Sequence, residues 1–229
     1  MKMLHHARTV LLVASLLAVG GAFAASQGAF DEQMAADGLQ KVKVKNIDLV
    51  YAQPGATFAD YDSVLIDPRV DVTFRKDFDP TKVGSRMKLS TEDLNEIRTD
   101  VAKAVYEEFV EELTTKKGTY GLADKAGPKV LDVRLAIANL YSNAPDTMQP
   151  GRTRVYTVSA GEMTLVMELR DSETGAVLAR VFDRREARDT GQFMLTNSAT
   201  NAAEVRRMAG SWAKIMRQRM DAAHGIGKK

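Results

Sequence analysis

The stretch GEMTLVMELRDSETGAVLARVFDRREARD, residues 161–189, decides the fold. Met163, Leu165, Met167 and Leu169 alternate with other residues, as do Val177, Ala179 and Val181. Period two over this length predicts two half-buried strands. Between them, Asp171-Ser172-Glu173-Thr174-Gly175 is a turn sequence. Gly175 supplies the positive φ that a type I turn with a bulge requires. Pairing Leu169 with Val177 puts both apolar sets on one face. Glu168, Arg170, Arg180 and Arg184 then share the other, expected to be solvated and held by cross-strand charge pairs. The stretch is therefore read as architecture, not as a charged active site.

The flanking segments extend this pattern. Val64, Ile66, Pro68, Val70, Val72 and Phe74 alternate over residues 61–75, with Pro68 marking an edge, a bulge or a break. Leu131, Val133, Leu135 and Ile137 alternate again. Between these runs, Leu94, Ile97, Val101, Val105, Phe109 and Leu113 repeat at helical spacing. Ser90 with Asp93 offers a capping box for that helix, which is expected from Ser90 to about Lys117. A final helix is expected from Ala202 to about Ala223, with Asn201 as cap. Its apolar stripe is Val205, Met208, Trp212, Ile215 and Met216. The expected fold is α+β, a two-layer sandwich. A mostly antiparallel or mixed sheet of about five strands carries two helices on one face.

The chain begins MKMLHHARTVLLVASLLAVGGAFAASQ. Lys2 and Arg8 precede an apolar run from Val10 to Val19, and Ala22-Phe23-Ala24 follows. That is the pattern of a secretory signal peptide over residues 1–24, cleaved after Ala24. The run falls short of the roughly 20 apolar residues of a spanning helix, and no later segment is apolar enough to span. Residues 25–60 are expected as a loose leader and a short packed segment. Residues 61–229 are expected as one domain with a basic tail.

Removing Lys2 and Arg8 takes Lys+Arg from 32 to 30, equal to Asp+Glu at 30. A neutral exported chain argues against a nucleic-acid binder, which needs phosphate-neutralising charge. The sequence has no cysteine. That excludes disulfides, thiolate catalysis, Cys-based zinc sites and N-terminal lipidation. The exported chain holds a single histidine, His224, in its basic tail. No phosphate-binding loop, dinucleotide fingerprint or metalloprotease motif is present. No catalytic residue, metal ligand or cofactor is assigned.

Glu107, Glu108, Glu111 and Glu112 form a row on the first helix, read as a wet face. Arg206, Arg207, Lys214, Arg217 and Arg219 lie opposite the stripe of the last helix, as on a membrane-surface helix. Arg184, Arg185 and Arg188 interleave with Asp183, Glu186 and Asp189, a pattern of surface salt bridges. Arg152 and Arg154 lie in the loop before the hairpin. If the hairpin's open end joins the two groups, Arg152, Arg154, Arg184, Arg185 and Arg188 form a ligand-binding patch for phosphate or carboxylate. An envelope protein or an anionic envelope component is the expected partner, in the periplasm. The leading reading is a non-enzymatic envelope binding or assembly module. The alternative is a cofactor-independent hydrolase using carboxylates and arginines, which would show convergent carboxylates of perturbed pKa.

The order of motifs is similar to a known family. YAQPGATFADYDSVLIDPRVDV, LSTEDLNEIRTDVAKAVYEEFVEEL, the hairpin from Ser159 to Asp189, and NSATNAAEVRRMAGSWAKIMRQRMD together resemble the bacterial domain of unknown function 3313. The resemblance covers nearly the whole exported chain. It implies an exported, lipoprotein-type protein with no assigned activity. The missing cysteine departs from the lipoprotein pattern and points to a form without a lipid anchor. At the level of fold, the chain also resembles envelope components of the curli-secretion and Tol types, which implies no function.

Overall fold

A computed structural model describes residues 27–81, 89–116, 119–143, 159–186 and 198–226. The expected signal peptide lies outside these residues. The fold is α+β, with three helices and one eight-stranded mixed sheet rather than two helices and about five strands. Helix α1 spans Gln27–Ala36, α2 spans Thr91–Val110 and α3 spans Ser198–Ala223. The strands are β1 (Gln40–Val42), β2 (Leu49–Ala52), β3 (Ser63–Ile66), β4 (Asp71–Phe74), β5 (Gly121–Leu122), β6 (Val130–Asn143), β7 (Ser159–Asp171) and β8 (Val177–Glu186). The sheet order is β1-β2-β8-β7-β6-β3-β5, with β4 also paired to β6.

Three long strands, β6, β7 and β8, form the antiparallel centre. Pro68 breaks the alternating run over residues 61–75 into β3 and β4. β3 pairs in parallel with the first part of β6, and β4 with its later part. A parallel partner demands a crossover, and α2 supplies it. Ser90 caps α2 as expected. Its side chain accepts from Asp93 N at 3.1 Å, and Asp93 Oδ2 accepts from Ser90 N at 2.7 Å. The helix ends in a π-helical turn, Glu111–Lys116, which keeps Leu113 in the core. The final helix begins at Ser198, so Asn201 is interior and not the cap. Ser198, Thr200 and Asn201 are all cap-type residues, and spacing alone cannot choose among them.

One face of the sheet carries the main core. Met163, Leu165, Met167 and Leu169 of β7 meet Ile97, Val101 and Phe109 of α2 and Met208, Trp212 and Met216 of α3. The hairpin differs in register from the expected one. Leu169 pairs with Ala179, Arg170 pairs with Val177, and the ladder shifts between them. Leu178 fills the extra position, and both it and Ala179 reach the core. A bulge of this kind lets two neighbours serve one face.

Gly175 has φ +73, as the turn requires, and a Cβ placed there meets nothing within 4 Å. The cost of a side chain is thus purely one of backbone. Gly175→Val is expected to destabilise the fold by about 1–2 kcal/mol, read from denaturant midpoints, with Gly175→Asn costing less. Equal stability of the valine variant would contradict this turn.

The opposite face is not wet. Residues expected as a loose leader contain α1 and β1, and α1 packs on β2 and β8. Phe30 lies edge-on to Tyr51 and Phe182, with ring centroids at 5.7 and 5.0 Å. Met34, Leu39 and Tyr51 close a second small core. Beneath it, Arg180 is 2 % exposed and Glu168 4 %. Arg180 Nε donates to Glu168 Oε2 at 2.8 Å, and Arg170 Nε donates to Glu168 Oε1 at 2.6 Å. Arg180 also pairs with Asp37, just beyond α1. Of the cross-strand charges expected in solvent, Glu168, Arg170 and Arg180 form a network beneath α1, while Arg184 is exposed as expected.

Three tyrosines tie the periphery to aspartates. Tyr61 donates to Asp171 Oδ2 at 3.0 Å, and Tyr120 donates to Asp221 at 2.9 Å. Tyr51 donates to Asp31. Burial, and then the bond to Asp171, push the Tyr61 phenol up to about 12. Burial and their aspartates raise Tyr51 and Tyr120 as well. A raised phenol contributes stability that is complete below its unfolded value of about 10 and is lost as pH climbs through the folded value. Stability is therefore expected to fall as pH rises above about 10, and Tyr61→Phe to flatten part of that fall. Denaturant midpoints measured against pH that stay level across this range would contradict the three bonds.

Candidate binding cleft between β8 and α3

The end of β8 is where the sequence concentrates charge, and three separate elements converge there. β2 pairs with β8 as far as Leu49 opposite Phe182. Beyond that point, side chains take over from the ladder. Asp48 N donates to Asp183 Oδ1 at 2.8 Å, and Asp48 Oδ2 accepts from Arg184 N at 2.9 Å. Asp183 faces α3 and is 4 % exposed. Its Oδ2 accepts from Trp212 Nε1 at 2.6 Å and from Arg185 Nε at 2.9 Å. An ionised carboxylate is tolerated at this depth only with such donors.

Arg185 completes the arrangement. It donates to the Ser211 hydroxyl of α3 and to Asn46 O at 3.4 Å. Its guanidinium lies 5.5 Å from the centre of the Trp212 ring, a cation–π distance. Asn46 takes φ +63, a left-handed conformation that asparagine accepts readily, and this turns the chain into β2.

These groups wall an open cleft of about 700 Å³, lined also by Lys214, Ile215 and Gln218 of α3 and by Ile47. Of its two carboxylates, Asp183 is buried and committed to internal bonds, whereas Asp48 is exposed and accepts from Arg184 N through Oδ2. Lys214 is exposed and has no carboxylate partner among the described residues. The cleft thus presents Lys214 to solvent as a cation without an acid partner and keeps the Asp183 charge for the fold.

Of the predicted patch, Arg184 and Arg185 both line the cleft. Arg152, Arg154 and Arg188 lie outside the described residues. Arg184 is spent on acids, with Glu162 at 2.7 Å and Glu186 at 2.8 Å. The interleaved pattern therefore yields surface salt bridges at Arg184, but Asp183 is a buried anchor and not a surface partner. Asp48, Ser211 and Gln218 were not marked by the sequence, and Lys214 was marked only as part of the basic face of the last helix. The cleft unites residues remote in the chain, and no local motif joins them.

The other charged groups have structural partners. The acidic row on α2 is not a bare wet face. Arg206 of α3 pairs with Glu107 at 2.6 Å and Glu108 at 3.3 Å, and Arg217 pairs with Glu112 at 2.9 Å. The pairing with Arg206 holds the Glu107 carboxyl below its usual value. With Val205, Met208, Trp212 and Met216 of its stripe buried and Arg206, Arg207 and Arg217 paired, α3 packs as a core helix. His224 packs against Tyr120 at 5.6 Å between ring centroids. Among the described residues, no group of three or more His, Asp or Glu is placed to hold a metal ion. No described helix is long and apolar enough to cross a membrane.

The molecule is thus an α+β protein with a cation-rimmed cleft at one end of its sheet. The model of DUF3313, a protein family of unknown function, matches residues 30–216, and the chain belongs to that family. Two solved structures show how far the likeness extends. A PelC dodecamer from Paraburkholderia phytofirmans is 11 % identical with a TM-score of 0.33, over 70 % of this chain and 94 % of that one. A Xanthomonas campestris protein of family DUF330 is 7 % identical with a TM-score of 0.39, over 75 % and 91 %. Likenesses at this level carry nothing into the functional reading. Comparison with curated proteins returns no match.

Proposed function

We propose that the chain is an exported, non-enzymatic binding module of the cell envelope, and that it receives an anionic group at the cleft between β8 and α3. The observation that carries this reading is the division of charge in the cleft. Asp48 and Asp183 are held by Arg184 N, Trp212 Nε1 and Arg185, while Lys214 faces solvent without an acid. An anion entering there meets cations and donors and displaces no ion pair at Lys214. Carboxyl chemistry has less support. Among the described residues, each carboxyl with a resolved shift, at Asp67, Asp77, Glu107 and Asp171, is lowered. A hydrolase acid held protonated at neutral pH needs a raised one. Arg152, Arg154 and Arg188 remain candidates for the rim, and export rests on residues 1–24.

The test uses the protein recovered from the envelope, whose first residue is expected to be Ala25. Binding to lipopolysaccharide is expected to weaken steeply with salt, because the screening length falls from about 10 Å at 0.1 M to about 3 Å at 1 M. Lys214→Glu is expected to weaken it at least tenfold with unchanged thermal stability. Salt-insensitive binding, or binding that survives the reversal, removes the cleft from consideration. A retained Met1 removes export.

A further inference from the structure

We infer that the ligand is an amphiphile, with its anionic head in the cleft and a single acyl tail in a second, apolar pocket beside it. This rests on the cleft being the anion-binding site. The second pocket, about 200 Å³, lies between the helix-facing side of the sheet and α3. Val44, Val50, Leu178, Trp212 and Met216 are among its walls. Ile47 and Ile215 line both this pocket and the cleft, and both are half-buried. The polar and apolar spaces therefore meet across two side chains, one from the β2 approach and one from α3.

Each half of this pair is explained by the other. An apolar cavity of about 150 Å³ stays dry and takes a small hydrocarbon, so this one suits an acyl terminus and not water. Left empty, it forfeits dispersion contacts that a hydrocarbon would restore. A free phosphate or a sugar would fill the cleft and leave the pocket empty. A purely apolar ligand would leave Lys214 unanswered.

The rim supplies a second, independent observation. In the run KVKVK, residues 41–45, Val42 and Val44 line the apolar pocket, while Lys41, opposite Tyr51 in the β1–β2 pair, belongs to the α1 face. Arg219 lines the same pocket and is also exposed. Among the described residues, Arg219 has no carboxylate partner. Arg206, Arg207 and Arg217 of the same helix do. An exposed cation without an acid on the wall of an apolar pocket suits the anionic end of a lipid whose chain lies within.

Trp212 is the single tryptophan of the chain and a wall of the apolar pocket, so it reports occupancy without a label. The probe is a fatty acid with bromine on its terminal carbon, which quenches indole fluorescence at contact range, titrated into the full exported protein below its micelle concentration. Saturable quenching is expected, reversed by the unbrominated fatty acid and not by inorganic phosphate. Ala52→Phe, which places a ring into the pocket wall, is expected to weaken the quenching at least tenfold. Thermal unfolding verifies the fold of that variant, and the unsubstituted protein alone already decides the matter. Absence of quenching while lipopolysaccharide still binds in a salt- and Lys214-dependent way overturns the tail pocket and leaves the cleft reading standing. Quenching that is insensitive to salt, and equal for a brominated fatty alcohol, overturns the anionic head. Loss of both kinds of binding overturns both readings.

Discussion

Trp212→Ala is expected to lower stability by about 3–5 kcal/mol, the range for removing a fully buried aromatic side chain. Trp212 is 1 % exposed and stands at the centre of the α3 stripe. Its loss leaves a cavity against Met167 and Val181 and takes a donor from Asp183. Trp212→Phe separates the two contributions. It keeps most of the ring and removes only the N–H, so the part due to the Asp183 bond is expected at about 1–3 kcal/mol. Denaturant midpoints with unchanged slopes measure both. A loss below about 1 kcal/mol for the alanine variant would mean that α3 does not pack as described.

Removing one partner of the buried Glu168–Arg180 pair is expected to cost about 3–5 kcal/mol, because the survivor is an uncompensated charge. Arg180→Met strands Glu168 under α1, with only Arg170 left to answer it. Replacing both at once, Arg180→Met with Glu168→Leu, is expected to recover most of the loss, since a packed apolar pair needs no counter-charge. Single and double variants that lose equal amounts would contradict this. A small effect for Arg180→Met would return the pair to the solvent-exposed face that the sequence suggests.

That second prediction marks where sequence reading stops. The strands of the hairpin, the Pro68 break, the Ser90–Asp93 box and the stripes of α2 and α3 are periodic or local signals, and they were legible. Helix α1 was not. Ten residues with Phe30 and Met34 as its main apolar anchors give no repeat strong enough to declare a helix. Without α1, the charges of β7 and β8 have nothing above them, so a solvated face is the natural inference. The bulge at Leu178 was hidden for a different reason. Alternation fixes which residues share a face but not where an extra residue enters the ladder.

The candidate site divides in the same way. Arg184 and Arg185 stood out by residue type. Asp183 does pair with Arg185, but it is buried rather than at the surface, because two further partners lie far along the chain, 29 residues away at Trp212 and 135 at Asp48. Val42 and Val44 were passed over as part of a loose leader. Their place in the wall of the apolar pocket comes only from the folded arrangement.

The central functional claim is that an anionic group enters between β8 and α3. It is tested most directly by following the backbone amide resonances of the isotope-labelled protein as glycerol phosphate is added. Amides of Arg184, Arg185, Ser211, Lys214 and Gln218 are expected to shift together on one saturation curve, and the curve to be lost at high salt. Shifts confined to other regions of the sheet, or none at any concentration, would contradict it.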